Sequence, residues 1–115
     1  MNMNEYQSGA YSTAIYPDSM QIIYPAMLAG AEAGEMQNKV QKLIRRGVLP
    51  FRGENRPITI EETNAIIDEC GDQLWAIANL LMDLNSSMEH CARRNIRKLK
   101  SRMERGVIEG SGDDR

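Results

Sequence analysis

The chain has 115 residues, 42% of them hydrophobic and 26% charged, which fits one globular domain and excludes wholesale disorder. Its longest apolar run, Leu74 to Leu81, contains Asn79 and falls far short of the ~20 residues of a membrane span, so no membrane partner is expected. The formal net charge of −2 conceals strong blocking along the chain.

Helical periodicity dominates, and the elements follow in order. Asn4 is a candidate cap for a short helix to about Ala14, stopped before Pro17, so that residues 1–20 form a short helix and linker. This part of the chain, residues 1–35, carries four acids and no base. Pro25 suits the first turn of a second helix running to Arg46, with Lys42, Arg45 and Arg46 in its last turn and Gly47 ending it. Residues 47–57 hold two prolines and two glycines and read as a loop. Six bases against one acid mark residues 36–56. Thr59 and Glu62 form a capping box for a helix from Ile60 to about Leu84. Ser86 and Glu89 form another, opening a last helix to Arg105 that Gly106 closes. Residues 57–92 carry seven acids and no base, and 93–105 carry seven bases and one acid. Such segregation fits complementary faces of a bundle, or a site holding cations and anions together. Residues 106–115 read as a flexible tail. No segment alternates as a strand does. The expected fold is all-α, one domain with a helical bundle of about four helices. With only six aromatic residues its core is small, so completion by oligomerisation is expected, as a homodimer or homotetramer.

A single histidine, His90, removes most catalytic constellations, and Cys70 and Cys91 lack the paired spacing of a zinc site. The first five residues also lack the basic and apolar stretches of a signal peptide, which with two thiols suggests a reducing cytoplasm. What remains is carboxylate. Glu32 and Glu35 lie in the second predicted helix, Glu69 and Asp72 in the third. Three-residue spacing puts each pair on one helix face, among apolar neighbours. If the helices pair antiparallel, four carboxylates converge and repel unless a cation joins them. A histidine-free oxygen cluster suits Mg²⁺, or Mn²⁺, rather than zinc.

With these four acids in place, the sequence resembles the all-α nucleoside triphosphate pyrophosphohydrolases of the MazG type, whose mark is Glu-x-x-Glu followed by Glu-x-x-Asp. Gly71-Asp-Gln-Leu-Trp75 is similar to the family's Gly-Asp-x-Leu-Trp, and Asn95 to Arg102 to its Asn-x-x-Lys-x-x-x-Arg. The ending from Arg105 to Arg115 is similar to the tail of short phage and bacterial members. Two departures stand out: Ala31 replaces a common glycine, and 33 residues separate Glu35 from Glu69, the extra length falling in the proline-rich loop.

The resemblance implies hydrolysis of a nucleoside or deoxynucleoside triphosphate to monophosphate and pyrophosphate. Glu32, Glu35, Glu69 and Asp72 would hold magnesium, with Glu35 as the proton acceptor from water. Lys98 and Arg102, four apart on one helix face, would meet phosphate oxygens, and Asn95 sugar or phosphate. Lys39 would pair with the acids or reach phosphate, Trp75 would serve the base or the core, and Arg115 would close over bound phosphates with the tail. The compartment would be the cytoplasm, the host's if the chain is phage-encoded. Two non-enzymatic alternatives compete. The basic last helix could dock on nucleic acid, although the neighbouring acids make that partner unfavourable. The carboxylates could instead hold a structural divalent ion in a helical assembly module.

Overall fold

Asn2 opens the first helix, α1 (Met3–Ser12), in a computed structural model that describes residues 1–114. Its side chain accepts from the Glu5 amide at 2.9 Å, and Glu5 accepts from the Asn2 amide at 3.0 Å. Asn4, the cap expected from the sequence, lies inside the helix instead and meets Glu89 at 3.3 Å. The reason is its third neighbour: Gln7, which would have to close a box with Asn4, is buried and engaged elsewhere.

A single 3₁₀ turn (Asp18–Met20) leads to α2 (Ile23–Arg45). Between them Ile22 has φ 69° and ψ −53°, and Ile23 N–H donates to the Gln21 carbonyl at 2.7 Å. That is a γ-turn with a β-branched residue in the left-handed region, a strained arrangement that needs outside support. Asp83 supplies it, since one carboxylate oxygen accepts from Ile22 N–H and from the Tyr16 hydroxyl, each at 2.8 Å. Pro25 falls in the first turn of α2, and Gly47, at φ 74°, takes the left-handed position after its end, as the sequence predicts.

The connecting loop is tied to itself. Val48 is fully buried, and the Asn55 amide donates to the Val48 and Pro50 carbonyls. Thr59 and Glu62 form the expected capping box of α3 (Ile60–Asp83). α4 (Met88–Glu104) is capped by Ser87, not by Ser86. Ser86 is held by other partners, its amide by the Leu81 carbonyl and its carbonyl by Gln7, while Glu89 bonds Arg93 and Asn4 rather than closing a box. Gly106, at φ 69°, follows its last turn.

α2 and α3 form an antiparallel hairpin: Ile22 meets Asp83, Met36 meets Gln73, Lys39 meets Glu69 and Arg46 meets Glu62. α1 lies across the second half of α3, where Ala10, Ala78 and Met88 are buried with Tyr6, Leu74, Trp75 and Leu81 around them. α4 joins this core through its first turn, and residues 89–97 are exposed. The four helices make an all-α bundle, with no strand among the described residues. None of these helices is long and apolar enough to cross a membrane. The bundle is open: its radius of gyration is 17.4 Å, against about 13 Å for a compact chain of this length.

Candidate metal centre and anion groove

The antiparallel hairpin brings together three of the four carboxylates singled out in the sequence. One oxygen each from Glu32, Glu69 and Asp72 lies within 4.8 Å of the others. Glu32 and Glu69 are half-buried in the seam between α2 and α3, and Asp72 is exposed at its edge. Glu35 stays outside the group and is exposed. Three residues on a helix turn ~60° short of a full circle, so a side chain three places after Glu32 leaves the seam for its flank. Lys39, ~20° from Glu32 by the same count, returns to the seam, and its ammonium lies 3.8 Å from Glu69. It is the counter-charge that the chain itself provides.

Partial burial, and then the charges of Asp72, Glu69 and Glu35, push the Glu32 carboxyl above its usual range. The group therefore gains from any added positive charge. Its donors are all carboxylate oxygens, without imidazole or thiolate, which fits a hard divalent cation such as Mg²⁺.

The cationic residues of α4 occupy another level of the molecule. Asn95 and Lys98 line an open groove of about 670 Å³ together with Leu81, Leu84, His90 and Arg94. Leu81 and Leu84 follow Asp72 by nine and twelve positions, or ~14–18 Å along α3. The groove lining and the carboxylate group share no residue. Lys98 is half-buried and its ammonium lies 3.0 Å from an Asp113 carboxylate oxygen. Arg102 is buried, and it too bonds Asp113, at 3.1 Å. The tail expected to be flexible meets α4 through Gly112 and Asp113, and Arg115 lies outside the described residues.

Trp75, read from the sequence as serving the base or the core, packs in the core. Its ring packs on the Ala10–Ala78–Met88 core, and its indole N–H donates to the Thr13 hydroxyl at 2.8 Å. The ring thereby joins α1 to α3. Sequence reasoning did not find the pairing of Asp113 with Lys98 and Arg102. Its only signal was the glycines at 106, 110 and 112, which allow the chain to reverse. Arg94 also lines the groove.

The fold and the seam define a small all-α protein with a histidine-free carboxylate group on a helical hairpin. The chain is 39% identical over 121 aligned residues to the gene 37 protein of Mycobacterium phage L5, with all of both chains covered, and it belongs to that protein's family. No family profile matches it, and no solved structure does.

Proposed function

We propose that this protein hydrolyses nucleoside or deoxynucleoside triphosphates to the monophosphate and pyrophosphate, using a divalent cation. The observation that carries the reading is the meeting of Glu32, Glu69 and Asp72 within 4.8 Å in a half-buried seam. The resemblance to MazG-type enzymes agrees with it. These three residues would hold Mg²⁺, which when bound supplies neutralising charge at the phosphate oxygens. Glu35, exposed beside the group and outside it, accepts a proton from the water whose oxygen bonds to the α-phosphorus as the α–β phosphoanhydride bond breaks and pyrophosphate leaves. Lys39 balances Glu69 and becomes available to phosphate once a cation takes over that role. Lys98, Arg102 and Asn95 bind phosphate and sugar.

The separation of acids and bases within one chain supports a site completed by a second copy, whose α4 brings its cations to the carboxylates. Exposed apolar side chains along α2 and α4, such as Ile23, Met27, Ile96 and Met103, are consistent with a homodimer or homotetramer. With a phage protein in the family, the host cytoplasm is the proposed compartment.

A screen of canonical and modified triphosphates with magnesium tests the activity. Phosphate should appear by malachite green only when inorganic pyrophosphatase is added. Absence of product from every nucleotide would remove the hydrolase reading. One observation favours a nucleic-acid partner instead: Arg94, Arg97 and Lys100 are exposed on α4. Micromolar DNA binding that falls steeply with salt would favour that reading.

A further inference from the structure

Arg102 is 4% exposed although it lies in the last turn of a largely exposed helix. Its Nη2 donates to the Gly112 carbonyl at 3.4 Å, the Asp113 carbonyl at 3.2 Å and an Asp113 carboxylate oxygen at 3.1 Å. Lys98 Nζ donates to that same carboxylate oxygen at 3.0 Å. The Arg102 Nε is buried and has no hydrogen-bond partner among the described residues. A buried guanidinium with an unfilled donor is a socket for an anion with more oxygens than one carboxylate offers.

The group in that socket is carried by the segment that follows α4. The Asp113 side chain is 81% exposed. The chain returns to Arg102 by way of Gly106 and Gly112, which have φ 69° and 81°, values that favour glycine. Lys98 and then Arg102 hold the Asp113 carboxyl below its usual range, so it is an anion throughout neutral pH. Beside Lys98 lies the groove of about 670 Å³ with His90, Arg94 and Asn95, which leaves room for the rest of a ligand.

We infer that Asp113 is an internal substitute for a phosphate group, and that residues 107–114 form a latch that a polyphosphate must displace to reach Lys98 and Arg102. The choice of a polyphosphate rests on the pyrophosphohydrolase reading; the latch itself needs no catalysis. A polyphosphate carries more charge and more acceptor oxygens than Asp113, and it can satisfy the Arg102 Nε as well. The tail is then an internal competitor for the site, in contrast to a lid that closes on the bound phosphates.

Titration of the full-length protein with pyrophosphate alone, without metal, tests this by calorimetry and by hydrogen exchange of residues 107–114. Asp113→Asn should bind pyrophosphate about three- to tenfold more tightly than the wild type, the range for loss of a weak ionic competitor. Asp114→Asn removes the same charge and should leave affinity unchanged. Pyrophosphate should speed exchange of the segment in the wild type, whereas in Asp113→Asn exchange should be fast from the start. Equal or weaker binding by Asp113→Asn overturns the latch. So do equal gains from both variants, slower exchange with pyrophosphate, or no binding by either protein. Because the readout is binding and exchange, failure of hydrolysis would leave these results standing.

Discussion

Glu32 shares its seam with two other carboxylates, and burial together with their charge favours its neutral form. A carboxyl whose folded pKa is raised above its ordinary 4.5 contributes stability below that value. This contribution is lost as pH rises through the raised folded value. Glu32→Gln should therefore melt with the wild type near pH 4 and above it at pH 7.5, both without metal. Thermal melts across that range check the sign; equal melting at both pH values would mean that Glu32 is a solvated acid. The pairing of spacing-three acids was legible in the sequence because it is local helix geometry. That Glu35 leaves the seam was not, since a face ~60° wide can be split by the neighbouring helix. The register of α3 decides which of two acids is covered. That the Trp75 N–H is tied to Thr13 was not legible for a similar reason, because that hydroxyl comes from another element.

Gln7 is the point where three elements meet. Its side-chain amide donates to the Ala78 carbonyl of α3 and to Ser86, and its oxygen accepts from the Met88 amide at the start of α4. Gln7→Ala would leave a buried amide and carbonyl unpaired and should lower stability by about 1–3 kcal/mol, measured by urea unfolding. It should also loosen the first turn of α4, seen as faster hydrogen exchange at residues 88–91. Unchanged exchange there would show that α4 is held some other way. Caps illustrate what sequence can deliver for such elements. Thr59 with Glu62 has no adjacent competitor and was read correctly. Asn2 against Asn4, and Ser87 against Ser86, are pairs of neighbours that each satisfy the local pattern. The choice between them falls to Gln7, which is needed inside the bundle, a tertiary demand that no local spacing records.

At the scale of the molecule, the periodicity and the loop residues were enough to predict an all-α bundle of four helices. The charge blocks were legible as well, but not their levels. The count of acids and bases says which helix carries them, but not that the basic groove is lined by Leu81 and Leu84, ~14–18 Å along the chain direction of α3 from Asp72. Met27, 72% exposed on α2, and Met103, 71% exposed on α4, are where the proposed oligomer would find apolar contact surface. Light scattering at micromolar concentration should accordingly give a dimeric or tetrameric mass. A monomeric mass would contradict the completion of the site by a second copy.

The most direct test of the carboxylate site is the turnover of Glu69→Gln against wild type at saturating magnesium, on whichever triphosphate the wild type cleaves fastest. Glu69 joins both halves of the account, as a member of the three-carboxylate group and as the partner of Lys39. The substitution should cut pyrophosphate release by at least ~100-fold, while Glu61→Gln, exposed on the same helix, should leave it unchanged. Near-full turnover by Glu69→Gln would contradict the proposed site.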